Sequence, residues 1–309
     1  VYPNLDLIKQ DCEVNDLEEK LLTSAEAPIV ILKKKHNHSQ NLAPEIAPKN
    51  PYLGVMLPYT PLHHFLLAKL KIPIVATSAN LSDEPICIDE QEALVRLGNI
   101  ADLFLSHNRP IVRPLDDSIA RIINHQETLL RRARGYAPFS IPLADQHSDL
   151  SPILAVGGHL KNTIAIAHYQ NLYLSQHIGD LSNILTYQTF NKTIESLCNL
   201  YEFKPKMIAH DAHPDYLSSQ YAHTQNLDLI PIQHHYAHIL SCLVDNQLEP
   251  PVLGIAWDGT GYGADHTLWG GEFIHVTPNN WQRIAYFQPF KLLGGEKSVK
   301  EPKRIALSL

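Results

Sequence analysis

The chain has 309 residues, enough for two domains with cores of their own, and its 44% hydrophobic and 18% charged content excludes a disordered or fibrous protein. With 25 basic against 32 acidic residues the net charge is −7, which excludes a surface that attracts nucleic acid as a whole and leaves only a local basic groove open. The four cysteines, Cys12, Cys87, Cys198 and Cys242, form no CxxC pair, and no apolar run approaches the roughly 20 residues of a membrane helix. Reduced thiols and the lack of a basic-then-apolar leader read as a soluble, cytoplasmic protein.

In chain order, residues 14–24 read as a helix and Pro28 to Leu32 as a short buried strand. A polar, proline-punctuated loop from His36 to Pro51 leads past Tyr52 into a helix from Pro61 to Leu70, where proline suits the first turn. An apolar strand from Ile72 to Ala76 then ends in Thr77, Ser78 and Asn80. In an α/β fold such a strand end presents ligand contacts, here to phosphate or ribose, while helix capping is the other reading of the same side chains. Residues 88–97 read as a helix and Asp102 to Leu105 as a strand. Arg109 and Arg113 flank a short apolar strand and can fork onto a phosphate. Asp116-Asp117-Ser118 offers carboxylates to Mg²⁺, but alternation along an extended chain aims only one of them at a given site. Arg131, Arg132 and Arg134 beside Tyr136 are either a nucleotide or RNA contact or an arginine-blunted edge strand.

Pro142 to Pro152 reads as a linker. Beyond it, strands either side of Gly157-Gly158 leave backbone amides free to cradle phosphate, with Lys161 as a nearby point charge. A helix from about Ile184 to Tyr201, a strand at Lys206 to His210, a second helix, and a strand at Leu229 to Ile232 follow. His210 and His213 invite a metal, though an Asp-capped turn before a helix is the better reading of them. His234 and His238 stand four apart on a helix whose apolar face is Ile239, Leu240, Leu243 and Val244, so both imidazoles share a face and can bind one ion. The residue after His234 is His235, not the glutamate of a zinc protease. An apolar strand from Val252 to Trp257 runs into Asp258-Gly259-Thr260-Gly261-Tyr262-Gly263. This is either a hairpin turn or a phosphate loop whose carboxylate holds a counter-cation. The order of hairpin strands, crossover helices and glycine turns resembles half of an actin-like ATPase core.

The segments GVMLPYTPLHH, VATSANLSDEPI, HNRPIVRPLDDSIAR, LRRARGYAP, VGGHLKNT, HIGDLSN, HDAHPDY, QHHYAH, DGTGYG and WGGEF occur in the order seen in the HypF carbamoyltransferases of NiFe-hydrogenase maturation, and the resemblance covers nearly the whole chain. It implies an α/β chain with a YrdC-like domain over residues 1–141, a linker over 142–151, and the first half of a TsaD-like, actin-like transfer domain over 152–309. It further implies that carbamate is adenylated with ATP and Mg²⁺ and that the carbamoyl group of carbamoyl phosphate reaches the C-terminal cysteine of HypE.

Carried onto this chain, the resemblance places Thr77, Ser78, Asn80, Arg113 and Ser118 at the nucleotide of the YrdC-like domain. Gly157, Gly158 and Lys161 fall on one phosphate turn of the transfer domain, and Asp258, Gly259, Thr260 and Gly261 on the other. Lys161 and Asp258 are then the catalytic pair. His234 and His238 fall on a site for zinc or iron, with His235 orienting one of them. A YrdC-like surface also implies a double-stranded RNA contact at Arg131, Arg132 and Arg134. An acylphosphatase module, the zinc-finger cysteines and a third metal ligand are expected outside this chain, and Lys303 stands in KEPKR where the family has tryptophan.

Overall fold

The structure is a computed structural model that describes residues 1–35, 42–82, 84–143, 150–295 and 297–309. Parts of three sequence expectations lie outside them: residues 36–41 of the first loop, 144–149 of the linker, and Asp83 of the VATSANLSDEPI motif. The architecture is α/β. The chain packs into two compact units, Val1–Pro142 with Leu160–Phe203, and Leu143–His159 with Lys204–Leu309.

The first unit opens with two helices, α1 (Leu5–Asp11) and α2 (Asp16–Leu22). The Asn15 side chain accepts the Glu18 amide and the Glu18 carboxylate accepts the Asn15 amide, a capping box that fixes where α2 begins. β1 (Ile29–Lys33) runs antiparallel to β2 (Tyr52–Val55). Its other edge is parallel to β3 (Ile119–Ile123), and β3 pairs antiparallel with β4 (Gln126–Arg131). Val30, Leu32 and Ala120 on this sheet close over Ile8 and Leu22 of the helices. Each fully buried aliphatic side chain contributes roughly 1.5–3 kcal/mol. Two further helices, α3 (Pro61–Leu70) and α4 (Glu90–Leu97), start where Thr60 and Asp89 cap them.

Three expected strands do not form. Residues 72–76, 102–105 and 111–112 are irregular, with Leu103 and Leu105 91% and 81% exposed. A strand needs a neighbour for its ladder; Pro73 also removes a donor from the first stretch, and Pro110 and Pro114 bracket the third. Ile74 instead exchanges both backbone hydrogen bonds with Val1.

β5 (Ser140–Pro142) pairs antiparallel with β8 (Asn171–Leu174), which pairs with β7 (Ala165–His168). α5 (Ile184–Leu200) follows, its first turn held by the Asn183 side chain and its buried face made by Phe190, Ile194 and Leu197. This segment packs in the same compact unit as the first 142 residues. The Tyr201 hydroxyl donates to the Pro138 carbonyl (3.0 Å) and the His177 amide to the Arg132 carbonyl (3.0 Å).

In the second unit β6 (Ile153–Ala155), β9 (Met207–Asp211) and β10 (Asp228–Ile232) run parallel, with α6 (Leu217–Thr224) between the last two. α7 (His234–Asp245) begins two residues after β10. β11 (Val252–Tyr262), β12 (Leu268–Thr277) and β13 (Asn280–Tyr286) form an antiparallel sheet, and Ile239 and Leu243 of α7 pack on its Ala256, Ile274 and Val276. The expected glycine turn at Asp258–Gly263 is the continuation of β11, bulged between Trp257 and Gly261, and the chain reverses beyond it. Glycine there serves close packing rather than a turn. The chain ends in two short helices, α8 (Lys297–Lys300) and α9 (Lys303–Ala306). Among the described residues no helix is long and apolar enough to cross a membrane.

Candidate functional site

His234 and His238 share the first turns of α7, and their rings meet edge to face with centroids 4.8 Å apart. Asp258 arrives from the bulge of β11. Its Oδ2 lies 3.1 Å from His234 Nε2 and 3.8 Å from His238 Nε2, while its Oδ1 accepts the Gly259 amide (2.6 Å). The three donor atoms lie within 4.8 Å of one another, a span that one ion with bonds of about 2 Å closes with small side-chain shifts.

Asp211, the last residue of β9, holds the other nitrogen of His234, with Oδ2 2.6 Å from Nδ1. Its Oδ1 accepts the His213 amide (2.8 Å), so the turn is Asp-capped, and His210 and His213 are not drawn into the metal cluster. The hydrogen bond to Asp211 puts the ring proton of His234 on Nδ1, and a neutral ring then turns its Nε2 lone pair towards Asp258. Asp258 Oδ2 is buried and accepts no hydrogen bond. Two lone-pair donors facing each other in a buried site require a cation between them, either a second proton or a metal ion, and this donor set fits the ion.

The same arrangement sets the acid–base properties. The hydrogen bond to Asp211, and after it the Asp258 carboxylate beside Nε2, push the His234 imidazolium up to about 9. The His234 and His238 rings hold the Asp258 carboxyl well below the usual carboxylate range. His235, expected to orient one of the pair, is wholly buried, and burial pushes its pKa down. Its Nδ1 accepts from the Gln233 amide (3.1 Å), so the residue that orients His234 is Asp211.

Gly261 admits the imidazoles, whereas Gly158 makes no close approach to them. A Cβ on Gly261 would stand 2.5 Å from His235 Cε1 and 3.0 Å from His234 Cδ2, and one on Gly158 would stand 4.0 Å from His234 Cε1. Gly157 turns the chain at φ +68°. Gly259 and Thr260 lie exposed on β11 rather than in a phosphate loop. Lys161, at φ +49°, belongs to the first unit, whereas Gly157 and Gly158 belong to the second.

In the first unit a cleft of about 710 Å³ is lined by Thr77, Ser78, Asp116, Asp117 and Arg131 among others. Both aspartates line it, against the expectation that alternation aims only one. Asp117 is tied to Arg134 (2.8 Å), and Asp116 lies 3.9 Å from Arg131. Three other expected members stand apart from the cleft. The Asn80 amide donates to the Leu81 and Glu84 carbonyls (2.8 and 3.0 Å), which shapes its own loop. Ser118 is buried, donating to the Arg134 carbonyl and accepting the Ala133 amide, both at 2.8 Å. Arg113 lines a different cavity. Of the arginine trio, Arg131 and Arg134 are committed to bonds within the protein as well. Arg134 donates to the Glu26 and Ala27 carbonyls (3.0 and 2.7 Å) and stacks 3.5 Å from the Tyr59 ring, and Arg131 donates to the Asp117 carbonyl (2.9 Å).

Three family models divide the chain. Residues 1–133 match the model described as telomere recombination, 148–245 the HypF Kae1-like domain, and 254–309 the second subdomain of the carbamoyltransferase Kae1-like domain. The carbamoyltransferase HypF of Synechocystis sp. is 54% identical over 310 residues, which cover 100% of this chain and 40% of that protein. The chain belongs to the HypF family. The HypF of Rhizobium leguminosarum is 38% identical over 312 residues, 99% of this chain and 40% of its own length. A crystal structure of full-length HypF in its phosphate- and nucleotide-bound form matches with a TM-score of 0.90 and 42% identity, and T. kodakarensis HypF with 0.91 and 33%. Each match covers 99% of this chain and 40% of the solved one. The chain thus spans about 40% of the length of these HypF relatives.

Proposed function

We propose that this chain carries two working parts of an ATP-dependent carbamoyl transfer. In this reading residues 1–141 are a YrdC-like part that adenylates carbamate in the cleft beside Thr77 and Ser78. Residues 152–309 are a TsaD-like part that passes the carbamoyl group to the C-terminal cysteine of HypE, in the cytoplasm, during NiFe-hydrogenase maturation. The names and the nucleotide-bound state of the relatives support it. So does the size of the cleft, which lies in the range that holds a ligand as large as a nucleotide. Asp116 and Asp117, already on its wall, are the carboxylates available to ATP-bound Mg²⁺.

One observation carries the transfer half: the convergence of His234, His238 and Asp258 with Asp211 fixed behind them. Those three side chains would hold the zinc or iron. When bound, the ion supplies neutralising charge to phosphate oxygens. Asp211 keeps the His234 proton on Nδ1, so that Nε2 remains a donor. Gly158 lies beside His234 and places no side chain against its ring.

The test is to incubate the chain with ATP, Mg²⁺, HypE and either carbamoyl phosphate or carbamate, then weigh the C-terminal peptide of HypE. The expected result is one added carbamoyl group on the cysteine, lost with His234→Ala. An unmodified peptide from a chain that binds both ATP and metal would overturn the reading.

A further inference from the structure

The first unit has a second cavity, of about 260 Å³, which the nucleotide cleft does not use. Arg96, Arg113, Lys192, Glu92, Gln176 and Gln188 are among the side chains on its wall. Arg96 divides its guanidinium between Glu84 and Glu92, so its charge is compensated by the protein. Arg113 and Lys192 are in no ion pair among the described residues. Even with both glutamates counted, the group keeps one positive charge in excess.

Gln176 supplies a second, independent observation. It is 6% exposed, and its backbone carbonyl accepts the Ser175 hydroxyl (2.8 Å). Its side-chain amide, however, takes no hydrogen-bond partner among the described residues, and it lines the cavity. Its place on the cavity wall leaves the amide able to bond a group bound there.

We propose that this cavity binds a small oxyanion of the phosphate class. The guanidinium of Arg113 matches two oxygens in a fork, the Lys192 ammonium adds a point charge, and the Gln176 amide N–H donates to a further oxygen. Ligand pockets for larger molecules begin at about 300 Å³, so this cavity suits a single oxyanion group and not a whole nucleotide. The proposal does not depend on the nucleotide assignment of the neighbouring cleft.

The test is calorimetric titration of the 309-residue chain with inorganic phosphate at low salt, without and with saturating ATP, alongside the nitrogen-15 side-chain amide signal of Gln176. One saturable phosphate site is expected, unaffected by ATP and accompanied by a shift of the Gln176 signal. The double variant R113Q/K192Q should bind phosphate about tenfold or more weakly, and Gln176→Leu should weaken it as well. Arg113 and Lys192 both reach solvent, so the double variant should keep its unfolding temperature. Three results would each overturn the proposal: no saturable site, an affinity unchanged in R113Q/K192Q, or phosphate displaced by ATP.

Discussion

The Asp211 carboxylate sits 2.6 Å behind Nδ1 of His234, on the side of the ring away from Asp258. This pairing decides which nitrogen of His234 is available as a ligand. It also predicts a separation of affinity from fold. Asp211→Asn keeps the shape but can offer its own N–H to the ring, which favours the wrong tautomer, and Asp211→Ala removes the support altogether. Either variant should lose about 10–100-fold in zinc affinity, measured by competition with a chromogenic chelator. An unchanged affinity would mean that the carboxylate only caps its turn.

Part of this site could be read directly from the sequence. Two histidines four apart on an apolar-faced helix need no tertiary information to be placed on one face. Asp211 could not be found in the same way, because its role depends on register. β9 and β10 run parallel with Asp211 opposite Ile232, two residues before His234, and that pairing joins positions 23 apart in the chain. Asp258 was legible as a residue and misleading as a motif. Alternating glycines signal a turn and also a strand that must pass close to bulky rings, and only the structure separates the two meanings at Gly261. The helices α2 to α5 and strand β1 fall near their expected places because caps and periodicity are local. The apolar stretch at 102–105 failed as a strand because a ladder depends on a neighbour that the stretch itself cannot specify.

Gly261→Ala tests the packing argument. The added methyl would lie 2.5 Å from His235 Cε1, and His235 is fully buried, so neither ring can retreat without disturbing the helix start. Overpacking of this kind costs about 1–3 kcal/mol, which thermal unfolding of the metal-free protein should register. Zinc affinity should fall with it, because the same methyl presses on His234. Gly259→Ala meets open space and should be close to neutral.

The cleft of the first unit separates contact from structure among the hydroxyls. Thr77→Ala and Ser78→Ala should weaken ATP binding with little change in stability, since both side chains face the cleft. Ser118→Ala should do the opposite. It leaves the buried Ala133 amide without its acceptor, at a cost of about 1–3 kcal/mol, and leaves nucleotide affinity unchanged. Equal effects of the three substitutions on ATP affinity would put Ser118 back among the contacts.

The acid–base state of His234 gives a pH dependence whose sign differs between the metal-free and metal-bound protein. In the unfolded chain a histidine titrates near 6.5, whereas the folded His234 holds its proton up to about 9. A raised folded pKa contributes stability in full below about 6.5, and that contribution is lost as pH rises through 9. The carboxyl of Asp258 is shifted the other way, so its contribution is present above its ordinary range and is lost on acidification. The metal-free chain should therefore unfold more easily towards both extremes, with the alkaline loss centred between 6.5 and 9. Metal binding must displace the proton from Nε2 of His234, so zinc affinity should rise with pH until about 9 and then level off. Calorimetry in buffers of different ionisation enthalpy should count about one proton released per zinc at pH 7. With His234→Ala that proton should vanish from the count, and a release that survives the substitution would assign it to another ligand.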